Sequence, residues 1–203
     1  MAVAETDFEL LAAWRTGDRA RGNELFQRHF ACVSRFFRNK IDGPVDDLVQ
    51  EVFLVCVEGR DRFEGRSKFR TYVLGIANNL LRAHYRRKTG GNNHTELASV
   101  ADLGCSAGSI IARGQDEQLL LRALRHVSLD QQTLLELYYW EELSGPELAD
   151  VLKIPHHTAR SRLSRAREAL RDAFARVAST ADLARSSIEH LEGLAAGVWR
   201  ART

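Results

Sequence analysis

Over residues 144–170 apolar positions return every three or four residues, break at Ile154 and Pro155, and resume, a pattern that predicts two short helices around a turn. Ser144 can cap the first helix, Pro146 suits its first turn, and Glu147 stands three residues after Ser144, the spacing of a capping box. Leu148, Val151 and Leu152 give it one apolar face. The residue before a proline is driven out of the helical region, so the second helix starts at or just after Pro155. There Ala159, Leu163, Ala166 and Leu170 form a narrow stripe to be buried. The same period runs through the first half of the chain. Trp14 precedes a turn-like Gly17-Asp18, and Leu25, Phe26, Phe30, Val33 and Phe37 follow as one stripe. Val45, Leu48, Val49, Val52, Phe53, Cys56 and Val57 make a second, and Phe69, Tyr72, Val73, Ile76, Ala77 and Leu80 a third, just after Gly65-Arg66-Ser67. Strand signals are nearly absent. The expected fold is all-α, with a first bundle of about four helices and a second domain built on the helix-turn-helix.

Residues 89–115, TGGNNHTELASVADLGCSAGSIIARGQ, are rich in Gly and polar residues and low in charge, the composition of a flexible linker. Random-coil statistics put the ends of such a segment roughly 30 Å apart. Two domains therefore flank it, at residues 8–88 and 116–177. Residues 178–203 carry Leu183, Ile188, Leu191, Leu194 and Val198 at helical spacing, a C-terminal helical tail of unassigned role for which docking on one of the domains is favoured over binding a regulator or a frayed end.

With 44% hydrophobic and 28% charged residues among 203, the chain can bury two small cores and is not a disordered one. The net charge of +2 says little, but its distribution does. Between Arg60 and Lys88 nine Lys or Arg face two acidic residues, which fits a polyanionic partner. No stretch reads as a signal peptide, and no run reaches the roughly 18 apolar residues of a membrane helix, so no membrane insertion and a cytoplasmic location are expected. Cys32, Cys56 and Cys105 are odd in number and lack CxxC spacing; with His29 and Cys32 as the sole helical ligand pair, structural thiols are expected and no metal.

The outward positions carry the chemistry. In the second helix of the helix-turn-helix these are His156, His157, Thr158, Arg160, Ser161, Arg162, Ser164, Arg165 and Arg167, donors suited to phosphates and to guanine edges. Its first turns would enter the major groove, so His156 to Arg162 are the expected base readers, with Arg165 and Arg167 nearer the phosphates. A solvated basic helix face is the plain alternative. The outer face of the third stripe joins Arg66, Lys68, Arg70, Arg82, Arg86, Arg87 and Lys88 with Thr71, Tyr72, Asn78, Asn79, His84 and Tyr85. Cations interleaved with aromatics and amides suit unpaired bases, while core packing of Tyr72 is an equal alternative. On the second stripe, Asp46, Asp47, Gln50 and Glu51 form an acidic face suited to a basic protein surface; first-turn helix electrostatics would also place acids there. No carboxylate cluster for a metal and no nucleophile with a base is present, so an enzyme is not expected, nor any cofactor.

PVDDLVQEVFLVCVEGRDRFEGRSKFRTYVLGIANNLLRAHYRRK is similar to the second region of extracytoplasmic-function (ECF) bacterial sigma factors of the sigma-70 family. SLDQQTLLELYYWEELSGPELADVLKIPHHTARSRLSRAREALR resembles their fourth region. The two occur in family order around a linker. The resemblance implies a region 2-like domain at 8–88 and a region 4-like domain at 116–177, binding to core RNA polymerase, and promoter recognition without catalysis. It implies polymerase contacts at Asp46, Asp47, Leu48, Gln50, Glu51 and Phe53. Minus-ten recognition and melting would fall to Arg66, Lys68, Arg70, Thr71, Tyr72, Asn78, Asn79, Arg82, Tyr85, Arg86 and Arg87, with Asn79 matching a position that holds a flipped-out base. HHTARSRLSRAR is similar to the minus-thirty-five reader. An anti-sigma factor is a further partner implied by the family. The chain has Tyr72 where the family often has Trp, and Lys153 and His157 where it often has glycine, so a left-handed turn residue would carry a steric cost. A stand-alone helix-turn-helix regulator would use the second domain alike, without needing the DDLVQEVF surface.

Overall fold

The computed structural model describes residues 5–89 and 115–177, and all regular structure among them is helical. The expected linker, Cys105 and the C-terminal tail lie outside the described residues, apart from Thr89 and Gln115 at the linker's ends. Four helices come from the first half: α1 (Asp7–Arg15), α2 (Arg19–Arg38), α3 (Asp46–Glu58) and α4 (Phe69–Lys88), with a single 3₁₀ turn at Arg60–Arg62 before α4. The second half gives α5 (Gln115–Leu124), α6 (Leu129–Tyr139), α7 (Gly145–Leu152) and α8 (His156–Val177).

Local chemistry sets most of the boundaries. Thr6 and Glu9 close a capping box at the start of α1, and Ser128 and Gln131 close another at α6. Asp18, past a Gly17 at φ +108°, accepts from the Ala20 and Arg21 amides and starts α2. Ser144 begins α7 as expected, its amide and hydroxyl both donating to the Glu147 carboxylate at 2.8 and 2.6 Å. Helix α8 begins directly after Pro155.

Within the first group, Trp14 of α1 sits edge-on to Phe26, their centroids 5.0 Å apart. Its indole covers Gly22 so closely that an added Cβ would lie 2.5 Å from a ring carbon, which is why α2 carries a glycine inside its first turns. Val33, Phe37, Val52, Val73 and Leu81 close the interior. The second group closes over Leu120, Leu134, Leu148, Ala166, Leu170 and Phe174. Ala159, the small residue in the recognition-helix stripe, is fully buried.

The two groups share one continuous apolar core. Helix α7 lies along α4, with the Val151 backbone 3.8–3.9 Å from where a Gly75 Cβ would stand. Helix α4 is consequently buried on nearly all sides at its centre, from Val73 to Asn78. Two members of the expected core stripes lie outside instead: Phe30 and Val57 are exposed, because the faces of α2 and α3 that carry them have no helix over them.

Candidate nucleic-acid and polymerase interfaces

The loop between α7 and α8 fixes the recognition helix. Lys153 closes α7 in the left-handed conformation, φ 54° and ψ 46°, at one of the two positions where the family often carries glycine. A β-carbon there costs roughly 1–2 kcal/mol. Lys153→Gly is expected to raise the unfolding free energy by about 0.5–1 kcal/mol after the entropy of glycine in the unfolded chain is subtracted, as read from urea midpoints. His157 needs no such conformation, since it is helical.

Along α8, His156, His157, Arg160, Ser161, Ser164 and Arg165 are exposed, and Thr158 and Arg162 half-exposed. Arg160 and Ser161 project from the first turns, the part that a helix-turn-helix presents to base edges. Arg167 is placed differently from the expectation of a phosphate contact. Its guanidinium lies over the rings of Tyr138 and Tyr139, 4.8 and 5.5 Å from their centroids, and its Nε is buried. Cation–π packing against α6 holds it.

Helix α4 separates the expected minus-ten residues into two sets. Arg66, Lys68, Asn79, Arg86 and Arg87 are exposed. Thr71, Asn78 and Tyr85 are buried, which in this conformation keeps them from nucleic acid. Tyr85 belongs to the interior: its hydroxyl donates to the Lys40 carbonyl. Tyr72 packs on Phe63 at 4.5 Å between centroids, and burial raises its phenol pKa. Arg70 donates to Glu141, and Arg82 to Asp130 at 2.7 Å. Burial opposes the charge on Arg70, but Glu141 outweighs it and raises the guanidinium pKa. Lys68 reaches Glu147 at 2.9 Å, and that bond, with those from Ser144, holds the Glu147 carboxyl at about 2. Beside the Gly65 turn, a groove of about 380 Å³ opens between Phe8, Leu11, His29, Phe63, Lys68 and Phe69.

On α3, Asp46, Asp47 and Gln50 are exposed, Glu51, Leu48 and Phe53 half-buried. They border a second groove, about 330 Å³, lined by Phe26, Phe30, Val49, Gln50 and Phe53, with the Phe30 and Phe53 rings stacked 6.4 Å apart. Leu54 and Val57 extend the apolar surface, with Leu54 56% exposed. Phe30, Leu54 and Val57 are additions to the predicted acidic face; contiguous exposed apolar residues mark interaction surfaces. Phe30 and Val57 carry a weak signal in the sequence, because periodicity assigns them to the core, while Leu54 falls outside the predicted stripe.

The thiols of Cys32 and Cys56 are buried and pushed up to about 11 and 12 by burial, so they are inert. His29 is engaged with Asp7 at 2.7 Å rather than paired with Cys32 around a metal. Among the described residues no group of His, Cys, Asp and Glu could hold a metal ion, and no helix is long and apolar enough to cross a membrane.

Comparison with known proteins places both halves. Residues 25–90 match the model of sigma-70 region 2, and residues 117–170 that of sigma-70 region 4. The ECF RNA polymerase sigma-E factor of Haemophilus influenzae is 27% identical over 179 residues, covering 83% of this chain and 95% of that protein. The ECF sigma factor SigC of Mycobacterium tuberculosis is 34% identical over 129 residues, 63% of this chain and 69% of its own. Two solved structures share the fold at 22% identity. CnrH, in complex with the cytosolic domain of CnrY, has a TM-score of 0.58 and covers 82% of this chain and 95% of its own. RpoE of Bartonella quintana, in complex with the anti-sigma factor NepR, has a TM-score of 0.57 and covers 75% and 96%.

Proposed function

The chain belongs to the ECF sigma factors of the sigma-70 family, and from that premise we propose which of its surfaces does which part of the work. It is an alternative sigma factor: it binds core RNA polymerase and directs initiation at promoter DNA. The family acts by recognition rather than by catalysis. We assign residues 8–88 to polymerase binding and the minus-ten element, and residues 116–177 to the minus-thirty-five element, within the cytoplasm.

The observation that carries the assignment of the polymerase surface is the juxtaposition on α2 and α3. An exposed edge of two carboxylates and an amide, Asp46, Asp47 and Gln50, borders an apolar groove of Phe26, Phe30, Val49 and Phe53. Apolar area supplies association energy, and the charges set register and on-rate. Promoter opening would use the exposed Asn79 and the basic residues around α4, with the groove beside Gly65 offering a pocket for an unstacked base. Capturing such a base offsets the few kcal/mol of unstacking. The pairing of two solved relatives with CnrY and NepR supports an anti-sigma partner for this chain as well.

The test is run-off transcription from a genomic promoter library with core polymerase, with and without the protein, and with Asp47→Ala and Glu51→Ala combined. Specific initiation should require the protein and fall roughly tenfold or more in the double variant, the effect of about 1.4 kcal/mol lost at an interface. DNA binding without initiation at any promoter would instead mark a stand-alone regulator.

A further inference from the structure

The groove beside the Gly65 turn is built by α1 as much as by α4. Phe8 and Leu11 line it from α1, Phe63 and Gly65 from the connecting turn, and Lys68 and Phe69 from the start of α4. Of its three phenylalanines, two belong to the core: Phe63 is 8% and Phe69 4% exposed, with their rings edge to face at 5.8 Å, and Phe63 also packs on Tyr72. Phe8 is 68% exposed, the highest value for a large apolar side chain among the described residues. It alone of the three has a free ring face. An aromatic ring in the first turn of a helix would ordinarily be loosely placed, because helix ends fray. This one is fixed from both sides. Asp7, before it, is bonded to His29 at 2.7 Å and paired with Arg28 at 3.5 Å, and the carboxylate of Glu9, after it, accepts from the Thr6 amide at 2.7 Å in the capping box. At the far end of α1, Arg15 donates to the Arg60 carbonyl at 2.9 Å and to the Phe63 carbonyl, which ties the turn to the helix. The Phe8 ring therefore stands at a set distance from the turn, 3.6 Å from where a Gly65 Cβ would lie.

We propose that Phe8 is the platform on which an unstacked base of the minus-ten element stacks in this groove. The inference rests on the assignment of the groove to such a base made above. It adds a residue that the family match does not reach, since α1 lies ahead of the residues 25–90 that match sigma-70 region 2. The surroundings suit the occupant. Arg66 stands in the turn next to Gly65 and Lys68 on the groove itself, their side chains 86% and 78% exposed, so that cations for the adjoining phosphates are at hand once Lys68 exchanges Glu147 for phosphate. A ring pinned at its backbone and bare on its face loses little freedom when a base is laid on it, which favours capture. Stacking on an aromatic ring is sequence-tolerant, because every base has a π-face. Phe8 would thus hold the base without choosing it.

The test uses holoenzyme assembled from core polymerase and the full-length chain, first to enrich a binding strand from a random-sequence single-stranded DNA library. Affinity for that strand is then measured with the parent, Phe8→Leu and Phe8→Trp, after circular dichroism has confirmed that each chain is folded and each holoenzyme has been purified to equal sigma content. Phe8→Leu keeps apolar bulk and removes the π-face, and should weaken binding about 5- to 150-fold, the range for losing one stacked base. Phe8→Trp should bind at least as tightly as the parent. The strand is next altered to an abasic sugar at one position at a time. At one position the change should cost the parent a similar factor and cost Phe8→Leu little more, because both alterations remove the same contact. Equal binding by the parent and Phe8→Leu, a loss in Phe8→Trp as large as that in Phe8→Leu, or abasic losses that add in full to that of Phe8→Leu at every position would each overturn the inference. An abasic loss in the parent then still leaves base capture standing. If every abasic change is harmless to the parent, or nothing is enriched from the library, no base is captured, and the reading of the groove falls together with the role of Phe8.

Discussion

Replacing Lys40 by Met is expected to destabilise the contact between the two halves by about 3–5 kcal/mol, the usual cost of leaving one member of a buried ion pair without the other. Lys40 is 0% exposed, and its ammonium donates to the Phe36 carbonyl at 2.7 Å and to Glu136 while resting 4.2 Å above the Phe36 ring. Glu136 is itself 4% exposed. Without the ammonium its carboxylate is left with the Gln132 amide, which donates to it at 2.8 Å. The loss has a ceiling, however. Lys40 comes from the end of α2 and Glu136 from α6, so separating the two halves would rehydrate Glu136 and stop the penalty from growing further. Urea unfolding of Lys40→Met should therefore show an early loss of compactness, read as the radius of gyration, followed by loss of helical signal at a higher concentration. Lys40→Met combined with Glu136→Leu removes both charges, and should restore the compactness transition to the parent midpoint or raise it by about 1–4 kcal/mol equivalent. A double variant as weak as the single one would mean that the pair holds the halves by more than charge.

How much of this was legible in the sequence differs from one residue to the next, for identifiable reasons. Boundaries set by local chemistry were readable, because a cap acts within one turn: Ser144 with Glu147, Asp18 after Gly17, and Pro155 before α8 all do as the sequence indicates. Thr6 with Glu9 and Ser128 with Gln131 have the same spacing and could have been found in the same way. The core stripes of α3, α4 and α8 were readable where one face is buried and one is wet. Periodicity failed at Phe30 and Val57, which have the spacing of core residues but face an uncovered groove or surface. It failed in the opposite direction at Thr71 and Asn78. Their polarity places them on a solvated face of an isolated bundle, and only contact with a helix about 75 residues away buries them. Lys40, Glu136 and Glu141 could not be singled out at all, since nothing local distinguishes a lysine or glutamate that will meet its partner across the fold. The candidate site was thus legible as a set of outward residues and illegible as a set of partners.

On the recognition helix, Arg160→Ala is expected to weaken binding of the holoenzyme to its own promoter by about 1–3 kcal/mol and to relax selectivity at a single base pair of the minus-thirty-five element. Arg165→Ala should instead weaken binding to every promoter alike, and lower the slope of log affinity against log salt by about one. The division follows from placement. Arg160 is exposed on the first turns of α8, four residues past its start at His156, where base edges are reached. Arg165 is also exposed, but more than a turn farther along, where the groove has turned away and the backbone is nearer. Arg167 supplies the internal comparison. Because its guanidinium is spent on Tyr138 and Tyr139, Arg167→Ala should reduce the stability of the second half by about 0.5–2 kcal/mol while leaving base selectivity unchanged. Salt-dependent affinities on a promoter and on versions altered one base pair at a time separate the three. Equal losses at every base pair for Arg160→Ala would move base reading to His156, His157 and Ser161, the other exposed residues of the same turns.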